Sequence, residues 1–263
     1  MEVIIKPDAD AVSKEAARIF RRQLATKLES VLGLATGSTP LGLYRELIAM
    51  CERGEIDFSG VTTFNLDEYV GLGPEHPQSY FRFMWDNLFS KINIARENIH
   101  IPDGLADDIP AHCDEYENAI VKCGYINLQL LGLGSDGHIG FNEPSSALNS
   151  RTRLKTLTPL TIADNARFFG SERAVPRHVI TMGIGTIMSS EHIIVLAFGE
   201  KKAAAVAAMV EGPVTANVPA SALQFHTRCQ LIIDEAAASA LERRDYYRWV
   251  YDHKPEWQRV GND

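Results

Sequence analysis

Short apolar runs alternate with helix-period segments along this chain, and no other feature narrows the fold as far. Residues 31–35, Val-Leu-Gly-Leu-Ala, read as a strand. Thr39-Pro40 then supplies an N-cap and a proline at the first helical position, opening a helix to about Arg53. Residues 61–65 read as the next strand, and apolar residues at 80, 81, 84, 85, 88 and 89 give residues 77–92 a helical period. Residues 109–122 read as another helix, 126–131 as a buried strand, and 179–182 and 192–198 as two more strands. An alanine-rich helix over 200–210, a strand over 231–233 and a helix to about Tyr251 complete the series. Alternating βα units build a parallel sheet covered on both faces. The expectation is therefore an α/β fold: a single domain over 1–263, with an open, mostly parallel sheet and helices on both faces, Rossmann-like and three-layered. The polar tail, 254–263, is expected to be loosely held.

Charge and cysteine usage narrow the partners. Lys and Arg number 26 against 34 Asp and Glu, a formal charge of −8. Nucleic acids and anionic membranes need a basic surface, so neither is an expected partner. A phosphorylated metabolite would need a local positive pocket set against that field. Cys51, Cys113, Cys123 and Cys229 form no CxxC pair and no zinc-spaced cluster with histidine. Reduced, buried or half-buried thiols and no bound metal are the expectation. The N-terminal residues lack the apolar core of a signal peptide, and no apolar run reaches the ~20 residues of a membrane span. The expected location is the cytoplasm.

Ligands of parallel sheets bind outside the carboxyl ends of the strands, near a topological switch point. The segments after residues 35, 65, 131 and 198 therefore carry most weight. Ala35-Thr-Gly-Ser-Thr-Pro40 places free amides and hydroxyls before a helix N-terminus, a cradle for an anion. Its plainer reading is a tight turn with a cap. Asp67, in Phe64-Asn-Leu-Asp-Glu-Tyr69, is placed to be a half-desolvated general base. The plainer reading is that Asp67 or Glu68 caps the next element or sits in solvent. Gly199-Glu-Lys-Lys202 offers a lysine that can reach a phosphate, and Arg167, among aromatics, offers a planar fork for one. Surface lysines and a structural ion pair are the alternatives.

The segment Leu131-Gly-Leu-Gly-Ser-Asp-Gly-His-Ile-Gly-Phe-Asn-Glu143 admits two readings. Gly132, Gly134 and Gly137 have dinucleotide-fingerprint spacing. That fingerprint needs a helix starting at the glycines and an acid about 20 residues on. Phe141-Asn-Glu-Pro144 breaks any helix there, and residues 151–156 are basic, so the nucleotide reading fails. What is left is His138 between Asp136 and Glu143 on a glycine-rich turn. That arrangement suits an imidazole held in one tautomer and tuned by carboxylates, although a lone histidine is more often structural.

Together these segments resemble the glucosamine-6-phosphate deaminase family, over residues 31–235. The likeness rests on Thr36-Gly-Ser-Thr-Pro40, Phe64-Asn-Leu-Asp-Glu-Tyr-Val-Gly71, Gly134-Ser-Asp-Gly-His-Ile-Gly-Phe-Asn-Glu-Pro144 and Ser150-Arg-Thr-Arg-Leu-Lys-Thr156, in the family's order. It implies conversion of glucosamine 6-phosphate and water to fructose 6-phosphate and ammonia, without metal or organic cofactor. It implies Asp67 as the base moving the proton between C2 and C1, and His138 as the ring-opening group with Asp136 and Glu143 as relay partners. Gly37, Ser38, Thr39, Arg167 and Lys202 match the phosphate grip. Some members are homo-oligomers activated by N-acetylglucosamine 6-phosphate, and Ser146, Arg153, Lys155 and Thr156 match part of that effector site. The C-terminal tyrosine of that site has no match in register; Tyr246 and Tyr247 are the nearest. An ordinary subunit contact through a basic strand face is the alternative for Arg153 and Lys155.

Two other functions compete. A 6-phosphogluconolactonase-like hydrolase shares a Gly-x-Asp-Gly-His loop, but Asn142-Glu143-Pro144 and Asp67-Glu68-Tyr69 argue against it. A non-catalytic sugar-phosphate sensor would be expected to lose the base or the histidine and to carry a DNA-binding region. This chain keeps both residues, and no helix-turn-helix module is expected in it.

Overall fold

The computed structural model describes residues 1–255 and Gln258. The chain opens with β1 (Glu2–Lys6) and α1 (Ala9–Thr26), whose start is fixed by the Asp8 carboxylate accepting the Ala11 N–H at 2.8 Å. Then follow β2 (Val31–Leu34), α2 (Leu41–Glu52), β3 (Thr62–Asn65), β4 (Asp67–Tyr69), α3 (Tyr80–Asn87) and β5 (Ile99–His100). The second half holds α4 (Ile109–Lys122), β6 (Leu128–Gly132), β7 (Arg153–Thr156), α5 (Pro159–Phe169), β8 (His178–Thr181) and α6 (Ile184–Met188). It closes with β9 (Ile193–Ala197), α7 (Ala203–Val210), β10 (Cys229–Asp234) and α8 (Arg244–Asp252).

Seven strands form a sheet in the order β1-β10-β9-β6-β2-β3-β5, and every neighbouring pair is parallel. Its central strands are buried at every position of β2 and β9, as a sheet covered on both faces requires. Right-handed crossovers put α1 and α2 on one face and α4 and α7 on the other, and α1 packs along α2. One apolar core draws on residues from Val3 to Leu241.

The topology sets the site. From β2 the chain moves outward to β3 and β5, then returns to β6 on the other side of β2. The switch point lies between β2 and β6, and the segments after those strands meet there: a methyl group on Gly132 would lie 3.8 Å from Thr39. Tyr44 of α2 fixes the first of these segments, its hydroxyl donating to the Ala35 carbonyl at 2.5 Å.

Several boundaries differ from the sequence reading. Thr39 is not the cap of α2: Pro40 occupies that position, and no side chain caps the helix. The segment 77–92 is helical only over Tyr80–Asn87, capped by Ser79 and followed by a 3₁₀ turn at Phe89–Lys91. After β10 the chain runs through turns, and α8 begins only at Arg244. A second sheet, β4-β8-β7, is antiparallel and was not foreseen; it takes Asp67 into a strand where a loop was expected. Cys123 is exposed, against the expectation of buried or half-buried thiols, while Cys113 and Cys229 are buried and Cys51 is intermediate. At the head of the tail Lys254 is tied to Glu2 by an ion pair; most of the rest of the expected loose tail lies outside the described residues.

Candidate active site

A cleft of about 500 Å³ opens over the carboxyl ends of β2, β3, β6 and β9. Gly37, Ser38 and Thr39 line one side, Asp67 and Tyr69 the floor, His138 and Gly140 another wall, and Arg167 and Lys202 the rim. All four segments singled out from the sequence thus meet in one cavity. A larger cleft of about 800 Å³ lies at the opposite end of the sheet, lined by Arg22, His192, Arg228 and Tyr246. Among the described residues its one lining acid, Glu2, is taken by Lys254 and by the Gln230 amide.

Asp67 is 5% exposed and stands opposite Thr181 in the β4–β8 ladder. Burial raises its carboxyl to about 8, with the neighbouring charge of Glu68 adding to the effect. The backbone makes room for it at Gly140, which has φ +56°: a Cβ there would lie 3.0 Å from the Thr181 hydroxyl and 3.5 Å from Asp67 Oδ2. Adjacent strand residues face opposite ways. Glu68 accordingly turns from the cleft and accepts the N–H groups of Tyr69, Tyr80 and Phe81 at 2.8, 2.9 and 3.0 Å. Burial lifts Glu68 to about 7 against those hydrogen bonds. Of the two acids, Glu68 turns to the first turn of α3 beside its Ser79 cap, and Asp67 is left to the cleft.

His138 lies on the turn after β6. Its Nδ1 is 2.6 Å from Asp136 Oδ1, which also accepts the His138 backbone N–H at 3.1 Å. This partnership holds the Asp136 carboxyl at about 2. The imidazole packs over Gly134, where a Cβ would come within 2.4 Å of the ring, so any side chain there would displace it. No helix follows, and an isolated bridge pairs Ile139 with Asn142.

Glu143 does not take up the relay position expected for it. Its buried carboxylate accepts the Thr158 N–H at 3.1 Å, the Thr158 hydroxyl at 3.1 Å and the Thr161 hydroxyl. These donors sit at the start of α5, whose N-terminus favours an anion. Among the described residues no hydrogen bond joins Glu143 to His138. Glu143 thereby ties the segment after β6 to the start of the helix that carries Arg167.

On the rim, Lys202 lies in the 3₁₀ turn that leads into α7, and burial lowers its pKa against the pull of Asp136 and Asp164. Arg167 occupies the last turn of α5, its guanidinium 4.7 Å from the Phe168 ring centroid. Asp164, Asn165 and Gln78 also line the cleft and were not picked out from sequence. The Thr158-Pro159 pair, a start signal of the kind that failed at Thr39-Pro40, would have located α5: Thr158 accepts the Thr161 N–H at 3.3 Å.

The residues expected of an effector site lie elsewhere. Ser146 is buried, and its hydroxyl has no partner among the described residues. Arg153 and Lys155 share the half-buried face of β7, an edge strand, while Thr156 lies on the other, exposed face.

The family model of glucosamine-6-phosphate isomerases/6-phosphogluconolactonase matches residues 7–232. The chain belongs to that family. It is 52% identical over 245 residues to a glucosamine-6-phosphate deaminase of Thermoanaerobacter pseudethanolicus, covering 93% of this chain and 97% of the relative. It is 54% identical over 250 residues to that of Hahella chejuensis, covering 95% of each. Among solved structures, a monomeric glucosamine-6-phosphate deaminase aligns with a TM-score of 0.89 at 43% identity, covering 91% of this chain and all 100% of the other. The family's other branch is more distant: 6-phosphogluconolactonase from Trypanosoma cruzi aligns with a TM-score of 0.72 at 20% identity, covering 92% and 97%, a likeness of fold alone. Among the described residues no helix is long and apolar enough to cross a membrane.

Proposed function

We propose that this chain converts glucosamine 6-phosphate and water to fructose 6-phosphate and ammonia, in the cytoplasm, as a step of amino-sugar breakdown. The observation that carries the reading is the convergence in one cleft of a buried carboxyl, a carboxylate-bound imidazole and a cationic rim. The phosphate binds at Gly37, Ser38 and Thr39, with Lys202 and Arg167 closing on it. Its binding free energy holds the reacting carbons against the floor.

His138, oriented by Asp136, takes the proton of the anomeric hydroxyl and returns one to the ring oxygen, which opens the pyranose. Asp67 as carboxylate then removes the C2 proton and delivers it to C1. The C2–H electron pair forms the C1=C2 bond of an enolamine while the carbonyl oxygen O1 takes up the proton that the C2 ammonium gives up. Protonation at C1 then draws that pair into the new C1–H bond, and the nitrogen lone pair makes the C2 iminium. Water adds to C2, and the C–N bond breaks to give ammonia and the ketone. A base that must both take and give this proton benefits from a carboxyl raised toward neutrality. Glu143 acts here through α5 and not as a proton carrier.

The same reading extends to a regulated homo-oligomer in which Ser146, Arg153, Lys155 and Thr156 receive N-acetylglucosamine 6-phosphate. The unpartnered Ser146 hydroxyl and the paired basic side chains of β7 support it. One assay tests both levels: ammonia release from glucosamine 6-phosphate by a size-characterised sample, with and without the acetylated sugar phosphate. Release of ammonia with no hydrolysis of 6-phosphogluconolactone is expected. Lactone hydrolysis without ammonia would overturn the reading in favour of the hydrolase branch.

A further inference from the structure

The groups expected to touch substrate do not include Glu68, yet its buried carboxylate is fully engaged by backbone donors beside the cleft. We propose that Glu68 is a positioning residue for the reaction, clamping the strand that carries Asp67 onto the N-terminus of α3 so that the base and the cleft wall at residues 77–80 move as one unit. This rests on the reading of Asp67 as the base.

Three observations carry it. Glu68 is 2% exposed and has no ion-pair partner among the described residues, an expensive placement for a carboxylate. It accepts three backbone N–H groups instead: Oε1 takes those of Tyr69 and Tyr80, and Oε2 takes that of Phe81. The latter two belong to the first turn of α3 and lie 12 and 13 residues along the chain, so the contact joins elements rather than closing a local turn. Helix α3 does not need Glu68 as its cap, because the Ser79 hydroxyl already accepts the Arg82 N–H at 3.1 Å. Pro77, Gln78, Ser79 and Tyr80, just before and at that helix start, line the cleft beside Asp67. A second tie parallels the first: the Tyr80 hydroxyl donates to that of Tyr69 at 3.3 Å.

The clamp is also electrostatic. The titratable groups packed about Asp67 and Glu68 are Tyr69 on β4, Tyr80 on α3, Tyr116 on α4 and Asp103 in the loop before α4, while His138, Lys202 and Arg167 line the wall and rim of the same cleft. The charge that bears on Asp67 is that of Glu68. A negative Glu68 therefore opposes ionisation of Asp67, adding to the effect of burial. The residue thus fixes the base in place and helps to set the pH at which it becomes a carboxylate.

Two variants separate position from charge, read by ammonia release across pH. Glu68→Gln keeps one acceptor oxygen, turns an amide NH₂ toward one of the backbone N–H groups and removes the charge. Its kcat should fall between about tenfold and a hundredfold with KM within about twofold, because the base and not the phosphate grip is disturbed. Its acid limb of kcat/KM should move to lower pH. Glu68→Asp keeps the charge but withdraws it by one methylene, so kcat should fall while the acid limb stays in place. The proposal is overturned if kcat of either variant matches the parent, if the loss falls in KM alone, or if the acid limb of Glu68→Gln does not move. Should Glu68→Gln fail to fold, the kcat of Glu68→Asp still decides the positional claim. A parent enzyme that releases no ammonia would refute the deaminase reading itself, an outcome distinct from an active parent with unaffected variants.

Discussion

Gly140→Ala places one methyl group where the floor of the cleft is tightest. The new Cβ would stand 3.0 Å from the Thr181 hydroxyl oxygen, whereas 3.4 Å is the near edge of ordinary contact. Thr181 has to yield by about 0.4 Å, and it cannot do so freely. Its hydroxyl accepts the Phe141 N–H at 3.1 Å, and its backbone pairs with Asp67 across β4 and β8. The displacement is therefore passed to the base. If about 1 Å of misplacement costs about a hundredfold, or roughly 2.7 kcal/mol, then about 0.4 Å costs roughly 1.1 kcal/mol, a fall in kcat of about sixfold. The left-handed backbone at φ +56° adds a stability cost of about 1–2 kcal/mol for a residue with a Cβ. For a chain of this size that lowers Tm by roughly 2–8 °C. The assay is steady-state ammonia release with a thermal melt on the same preparation. A lowered Tm with kcat within about twofold of the parent would show that Asp67 is not held through Gly140 and Thr181, and the reasoning would fail.

Three further outcomes follow from the same geometry. Lys202→Ala removes a half-buried cation from the rim, and loss of a charge-assisted hydrogen bond worth about 1.5–3 kcal/mol should raise KM roughly tenfold to 150-fold. Turnover of phosphate-free glucosamine should be unaffected, and an unchanged KM for the phosphorylated sugar would count against the contact. His138→Gln should impair the closed-ring substrate far more than an open-chain analogue, and equal losses on both would remove its ring-opening role. Asp67→Asn should gain stability over the parent as pH rises. The native chain holds that proton up to about 8, whereas the unfolded chain releases it near 3.8. The unfolded state is therefore favoured progressively across that window in the parent and not in the variant. Melting curves at intervals through the window check this, and a Tm difference that does not grow with pH contradicts it.

How far the sequence disclosed this molecule depends on which signals were local. The parallel sheet was legible because buried strands of both-faces-covered sheets are near-continuous apolar runs, as in β9 and, apart from Gln129, in β6. His138 and Lys202 were legible because each follows such a run, and Asp67 because it follows the mixed strand β3. The antiparallel β4-β8-β7 sheet was hidden: β4 is only 3 residues long and its partner β8 lies more than a hundred positions away, so no local period announces it. Glu143 was drawn toward His138 by proximity in sequence. Its carboxylate goes instead to Thr158 and Thr161, whose hydroxyls are brought to it only when α5 folds. Glu68 was visible only as a neighbour of Asp67. Its task depends on α3 lying against β4, a tertiary fact that a motif does not encode.

The central claim is that the buried carboxyl of Asp67 moves a proton between C2 and C1. Hydrogen exchange tests it most directly, with Asp67→Asn and the parent incubated with glucosamine 6-phosphate in deuterated water and C1 of the fructose 6-phosphate read by NMR. The parent should release ammonia and carry solvent deuterium at C1 to the extent that the shared proton exchanges during transfer. The variant should bind the sugar phosphate with near-parental affinity yet show neither ammonia nor deuterium at C1 or C2. Parental rates of deuterium incorporation and ammonia release in Asp67→Asn would contradict the account.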